Sequence, residues 1–400
     1  MSGDRRTAAR PTSARPTGAR RRPSARLIWM LPGGLSLLAG LDAALLLLGL
    51  PAPVTTARLP ETHGMLLVIG FIGTLISLER ATALRRWYGY AAPALLGLGG
   101  ILLITDPVPL VAAKAVLVAG TAALTALYVP LWRRRHDVQL LVQLLAAAFA
   151  LAATILWLGG TAFALLLPWL FAFIVLTIAA ERVELAITLG PGAGKRLLVH
   201  AWSVAAALLI GLASAQLGAM ALGIAFLALT FWLLRHDIAR KTIRTTGATR
   251  YMAACMLGGY FWLAVAGAVL VIAVPVGFPQ AQPAYDAVTH AILLGFAMSM
   301  IMAHATTILP AILHISLPYR AAFWVPAAML HASLVVRIPL GDGLGLRWAF
   351  VAGGALGIAA LLVFVLTAVV SAIVGSAAVI STVGPPKSAA ETPEKQESDD

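Results

Sequence analysis

The chain has 400 residues, of which 60% are hydrophobic and only 11% are charged. Soluble globular proteins carry about 25% charged residues. The composition therefore excludes a chain of several soluble domains and predicts a single membrane-embedded unit. The net charge of +13 does not indicate a nucleic-acid partner, because the basic residues form short clusters between apolar runs, as the positive-inside rule describes. A single cysteine, Cys255, excludes an internal disulfide and a cysteine-based metal cluster.

Both ends of the sequence differ in composition from the middle. Residues 1–26 contain eight arginines and no apolar core, so they are predicted to form a basic, disordered cytoplasmic tail, with binding to anionic lipid headgroups as the alternative. Residues 375–400 contain Pro, Ser and Glu and are predicted to form an acidic, disordered cytoplasmic tail. Residues 27–374 form the predicted transmembrane domain.

The apolar runs of this domain have the length of membrane-spanning helices. A spanning helix needs ~20 mostly apolar residues, and twelve segments meet that requirement. The predicted fold class is therefore all-α, a polytopic membrane protein with about twelve transmembrane helices. These lie at 27–50, 62–84, 89–105, 108–131, 138–159, 162–183, 197–215, 219–234, 251–274, 285–312, 321–338 and 348–374.

Two pairs of similar segments indicate an internal repeat. LWRRRHD at 131–137 is echoed by FWLLRHD at 231–237, and SLERA at 77–81 is echoed by IAAERV at 178–183. In both pairs, the two similar segments are separated by about four helices. This spacing predicts four-helix internal repeats. The charged residues of these segments stand at helix ends, where long side chains reach the membrane surface, so they are interpreted as anchors.

The basic residues predict the orientation of the helices. If the N-terminus is cytoplasmic, 25 of the 29 Lys and Arg residues lie on the cytoplasmic side, and only Arg58, Arg337 and Arg347 lie in outer loops. This bias follows the positive-inside rule. It predicts a multi-pass protein of the cell membrane with both termini in the cytoplasm and the lipid bilayer as its main partner.

Helices two and ten contain the first candidate site. Each begins with a Thr-His pair and reaches a Gly-Phe pair, in THGMLLVIGF at 62–71 and in THAILLGF at 289–296. Because both helices run in the same direction, His63 and His290 are expected at the same depth near the outer surface. Two neutral imidazoles there can bind haem iron or copper, so both are predicted cofactor ligands. The alternative is that each histidine simply lies at the headgroup boundary.

Steps of seven residues stay within about 20° of one helix face. His63 and Gly70 therefore share a face, as do His290 and Ala297. Small residues at these positions leave space for a flat cofactor or for a neighbouring helix. Glu61 and Asp286 stand two and four residues before the histidines and are candidates to orient the imidazole rings.

A second candidate site involves His304 and His331. Residue 304 lies fourteen positions after His290, about 21 Å along the helix, so these two cannot share one metal. Counting from the ends of helices ten and eleven places His304 and His331 at similar depth. They are predicted metal ligands, and a proton relay or a hydrogen-bonded pair without a cofactor are the alternatives.

The two Thr-His segments on helices two and ten resemble the NnrS family of bacterial haem- and copper-containing membrane proteins, which is similar to the main subunit of haem–copper oxidases. The resemblance implies haem or copper at His63 and His290 and a role with nitric oxide or another small gas or redox partner. It departs from the oxidases at helix six, which has no histidine, and at helix seven, which has only His200. An oxygen-reducing haem–copper centre is therefore not expected.

Two other functions fit the helix count. Twelve helices with an internal repeat are also typical of a secondary transporter, here of an unknown solute, and a membrane scaffold without a ligand has the same composition. No catalytic residue is predicted. Bound metal or haem would separate the first hypothesis from the other two.

Overall fold

The computed structural model describes residues 26–185, 190, 192–272 and 282–382. These residues form helices and contain no strand. The predicted tails at 1–26 and 375–400 lie mostly outside the described residues. Where they are described, they belong to the first helix, Arg26–Leu48, and to the last, Arg347–Thr382.

Twelve helices in the described part of the chain are long and apolar enough to cross a membrane, which confirms the predicted all-α polytopic fold. We number them spans 1–12: Leu27–Leu48, Arg58–Leu84, Trp87–Ile104, Leu110–Arg135, Val138–Leu158, Phe163–Leu185, Ala193–Ala213, Ala215–His236, Gly247–Ile272, Gln282–Leu313, Ala321–Gly343 and Arg347–Gly375. A short helix, Ala239–Thr242, precedes span 9. Spans 4 and 8 extend beyond their predicted ends because arginine stems can lie along the helix while their charged heads reach water.

The bundle has two chemically different ends. Spans 2, 4 and 6 finish at the first, where Arg80, Arg134, Arg135 and Arg182 lie, and we call it the basic end. Spans 2 and 10 begin at the other, which we call the histidine end. At the basic end, spans 2, 4 and 10 each terminate in a residue with left-handed backbone geometry, at Arg85, His136 and His314. This conformation commonly ends helices because its N–H caps a carbonyl of the last turn.

Span 6 lies at the centre of the bundle. Every residue from Leu170 to Ala180 is buried, and a helix that is apolar on all sides has no face suited to solvent. Spans 5 and 7 pack against it, and span 10 reaches it from the other side. The charged residues at the end of this helix, Glu181 and Arg182, are consequently held inside the bundle.

Three helical segments in the described residues have π-type hydrogen bonding. They are π1, Leu66–Gly73 in span 2; π2, Ala291–Met298 in span 10; and π3, Val336–Gly343 at the end of span 11. Segment π1 begins three residues after His63, and π2 begins directly after His290. Short π-helical segments occur frequently at functional sites. The positions of π1 and π2 therefore favour a functional site at the histidine end.

Spans 7 and 8 come into backbone contact at two glycines. A Cβ atom added to Gly218 would lie 2.3 Å from the Cα of Gly211 and 2.6 Å from its nitrogen. No flexible side chain can yield there. The close approach of the two helices therefore depends on the missing side chain.

We expect Gly218→Ala to lower the free energy of unfolding by ~1–3 kcal/mol, the usual cost of overpacking. The measurement is thermal unfolding of the detergent-purified protein. Gly34→Ala is the matched control, because no described atom lies within 4 Å of a Cβ built at Gly34 and alanine favours helix. A Gly218→Ala protein as stable as the Gly34→Ala protein would contradict the contact.

Candidate functional site

His63 and His290 lie at the histidine end, and the backbone holds both rings in the same way. The Nδ1 atom of His63 is 2.8 Å from the carbonyl oxygen of Gly40, and that of His290 is 2.9 Å from the carbonyl oxygen of Asp286. A carbonyl only accepts, so each Nδ1 carries the proton and donates it. Each Nε2 therefore keeps its lone pair in the neutral ring, which is the nitrogen that a metal could use.

The two rings lie within electrostatic range of each other and of the guanidinium of Arg337. Arg337, in π3, is 3.5 Å from a carboxylate oxygen of Asp286 and lies over the ring of Phe350 at 4.2 Å. The structure thus places the two predicted ligands at the same end of the bundle, with the charged pair of Arg337 and Asp286 near His290.

On span 2, the small residues next to and below His63 are packed against protein. A Cβ at Gly70 would lie 2.9 Å from the Ser36 hydroxyl and 3.6 Å from the Cα of Gly100, so spans 1 and 3 approach span 2 there. A Cβ at Gly64 would lie 2.1 Å from the Phe163 ring. The small residue Gly70 was expected to make space for either a flat cofactor or a neighbouring helix. In the structure, neighbouring helices occupy that space. The donor set fits a compact metal ion more readily than a haem ring lying along span 2.

The predicted orienting residues are partly replaced. Asp286 does hold His290, but mainly through its backbone carbonyl, because its carboxylate is 3.9 Å from Nδ1. Glu61 was expected to orient His63, and Gly40 of span 1 does so instead. A carbonyl from within a neighbouring span cannot be predicted from the local sequence.

His304 lies in a different environment from the one predicted for it. Its Nε2 accepts a hydrogen bond from Nη1 of Arg182 at 3.0 Å, and its Nδ1 donates to the carbonyl of Met300 at 2.8 Å. Arginine has no acceptor, so the ring is neutral and both its nitrogens are already used. This arrangement leaves no ring nitrogen for a metal.

His331, the predicted partner of His304, belongs to another contact. Its Nδ1 accepts from the indole N–H of Trp262 at 3.0 Å, and its ring packs on Gly258, where a Cβ would meet it at 2.5 Å. Both contacts are with span 9, whereas His304 bonds to span 6. The structure does not bring the two rings into one bonded site. The described residues also hold no group of three or more His, Cys, Asp or Glu side chains suited to a metal ion.

Arg182 and Asp237 form a buried ion pair at the basic end. Arg182 donates through Nε at 3.1 Å and Nη2 at 3.2 Å to the two carboxylate oxygens. Asp237, whose side chain is fully buried, also accepts from the Tyr260 hydroxyl at 2.7 Å and from the backbone N–H of Ala239 at 2.9 Å. With His304, this network joins four separate elements.

Arg80 forms a second buried network around the adjacent residue of span 6. It pairs with Glu79, with Glu184 at 3.1 Å and with Glu181 at 3.7 Å, and it donates to Gln143 at 3.4 Å. The sequence analysis interpreted these charges as surface anchors. That interpretation was wrong for the arginines, whose side chains are both only 7% exposed.

Residues 26–373 match a family described as a domain of unknown function. The chain belongs to the DUF8744 family. It matches no curated protein and no solved structure. The DUF8744 match contains both histidines of the histidine end and both buried networks, so every site described above lies within the family's domain.

Sequence reasoning missed three residues of the DUF8744 domain that the structure places in these sites. Arg337 was counted only for topology, Asp237 was interpreted as an anchor, and Tyr260 was not considered. A signal was present for Arg337, because a charged residue inside an apolar span is costly and needs a partner. Which partner it has depends on packing between distant spans.

Proposed function

We propose that the protein is a haem- or copper-binding integral membrane protein in which His63 and His290 hold the metal. The observation that supports this is the state of the two rings. They come from different spans at the same end of the bundle, within electrostatic range of each other, and each is fixed by a hydrogen bond from Nδ1 that leaves Nε2 to coordinate. Imidazole suits both iron and copper, and a bond at the second ring nitrogen is the usual way of orienting such a ligand.

Unused polar capacity beside the rings supports the same site. Among the described residues, Oδ2 of Asp342 and Nε of Arg337 are buried without a hydrogen-bond partner. Such atoms also occur elsewhere in the bundle, and a water, an ion or a ligand would satisfy the two at this end. The side chain of His290 is 25% exposed, so a ligand can reach it from outside the bundle.

The choice between the two cofactors depends on space. Haem iron needs one or two axial ligands, which the pair supplies, but Phe163 and the packing at Gly70 occupy the adjoining faces. We therefore favour copper over haem. When bound, such a metal supplies one-electron redox chemistry or binds a small gas. The resemblance to the NnrS family supports nitric oxide or redox handling as the role.

The distribution of basic residues supports a location for this site. With 25 of the 29 Lys and Arg residues on one side, the basic end is the cytoplasmic one under the positive-inside rule. His63 and His290 would then lie near the outer surface of the cell membrane. The chain's own residues contribute ring orientation through Gly40 and Asp286 and a positive charge through Arg337.

The test is the metal content and absorption spectrum of wild-type protein purified from cells supplied with haem and copper. We expect about one bound metal per chain, with a Soret band if the metal is haem iron. Correctly folded protein with neither bound metal nor a Soret band would contradict the proposal.

Such a result would favour the second candidate function, a secondary transporter. The buried networks around Arg80 and Arg182 support that candidate, because ionisable groups inside membrane domains often mark ion or substrate pathways.

A further inference from the structure

A large cavity lies at the basic end, between spans 2, 4, 6 and 10. Its volume is about 1160 Å³, slightly more than the roughly 300–1,000 Å³ of most small-molecule sites. Five arginines and three glutamates line it, which leaves a surplus of two positive charges. These residues are Arg80, Arg85, Arg86, Arg134, Arg135, Glu79, Glu181 and Glu184.

The acidic residues of the cavity are paired within the protein, with two arginines for three glutamates. Arg80 pairs with all three glutamates, and Glu184 additionally accepts from Arg135 at 2.9 Å. These acids therefore have cationic partners from within the protein. A ligand that enters the cavity therefore meets acidic side chains that already have arginine partners.

The basic side is not neutralised. The side chains of Arg85 and Arg86 make no hydrogen bond or ion pair with the described residues, and both residues are exposed. Arg134 donates one bond, from Nη1 to the carbonyl of Leu84 at 2.8 Å, and its other guanidinium nitrogens remain available. Three guanidinium groups thus line one cavity with donors to spare, and guanidinium matches the oxygens of a phosphate in pairs.

The remaining lining is apolar. It includes leucine and isoleucine side chains of spans 4, 6 and 10, together with Tyr90 and Trp87. Trp87 is 86% exposed, which is typical of an aromatic residue at the headgroup level of a membrane. The cavity therefore combines charged and apolar lining residues at the basic end of the bundle.

We propose that this cavity binds the phosphate group of an anionic phospholipid, with Arg85, Arg86 and Arg134 as the residues that contact it. Basic pockets between spanning helices on the cytoplasmic side commonly hold such headgroups, and the apolar lining residues offer a surface for the acyl chain. A soluble phosphate compound has the same recognition chemistry, so the test must separate the two sources. The proposal is independent of the metal site.

The test compares three full-length proteins in detergent by native mass spectrometry, with added phosphatidylglycerol, phosphatidylcholine or inorganic phosphate. One is wild type and one is Arg85→Gln/Arg86→Gln. The third, Arg133→Gln/Arg244→Gln, is the control, because it removes the same charge from exposed arginines that do not line the cavity. Neither arginine side chain has a hydrogen-bond or ion-pair partner among the described residues, so the substitution should leave folding unaffected. Thermal unfolding of the variant checks this.

We expect wild type and the control to retain phosphatidylglycerol over phosphatidylcholine, and the Arg85/Arg86 variant to bind it at least about tenfold more weakly, given the contribution of each arginine near a membrane surface. Wild type that binds inorganic phosphate but shows no lipid preference would support the phosphate site and assign it a soluble ligand. Equal losses in the variant and the control would overturn the proposal, since the attraction would then be non-specific. Absence of both preferences in wild type would also overturn it.

Discussion

Replacing Asp237 by alanine is expected to lower the free energy of unfolding by about 3–5 kcal/mol, the cost of breaking a buried ion pair by removing one partner. Arg182 would keep its charge inside the bundle with only His304 beside it. The hydroxyl of Tyr260 and the N–H of Ala239 would lose their acceptor as well. Chemical unfolding of the detergent-purified protein measures the change.

The internal repeat offers a matched control for this experiment. Asp137 stands in the equivalent Arg-His-Asp segment, but its side chain makes no capping bond. Asp137→Ala should therefore cost less than about 1 kcal/mol. Similar losses for the two variants would contradict the special role of Asp237. The double variant Arg182→Leu/Asp237→Leu should lose less free energy of unfolding than the two single variants lose together, because the double variant leaves no unpaired charge.

The second large effect is expected at the histidine end. His63→Ala and His290→Ala should each weaken metal binding by at least ~100-fold, because loss of a residue that only supports a ligand already costs 10–100-fold. Metal content after dialysis against a graded chelator, together with the absorption spectrum, provides the measurement. Both variants should still insert and purify, since neither ring carries a buried ion pair.

His236→Ala is the control for these two variants. His236 makes the same bond as His290, from Nδ1 to the carbonyl four residues earlier, but it lies at the end of span 8, away from His63. It should keep full metal content. A His63→Ala protein that binds metal as tightly as the His236→Ala protein would exclude the imidazole pair as the ligand set.

The twelve spans could be predicted because bilayer thickness imposes a length on every apolar run. The site could be predicted only in part. Depth along a helix follows from counting, and it correctly placed His63 and His290 at one end. Depth does not identify lateral neighbours, so it paired His304 with His331, although the ring bonds to Arg182 on the central span.

The misinterpretation of Arg182 has a related cause. A charged residue at a helix end usually extends its head to water along the helix. Span 6 is surrounded by other helices, so the side chain of Arg182 meets protein and needs Asp237 as its partner. The π segments were also beyond prediction, because counting by seven assumes 3.6 residues per turn throughout. Each candidate histidine of the histidine end is followed by a segment that departs from this spacing.

Glu181 and Arg182 are consecutive residues, so their side chains leave span 6 about 100° apart. One belongs to the network around Arg80, which borders the cavity, and the other to the network around Asp237, which reaches His304. A small rotation of this one helix would lengthen bonds in both networks at once. A cavity ligand that rotated span 6 would therefore also change the hydrogen bond to His304, and such linkage acts equally in both directions.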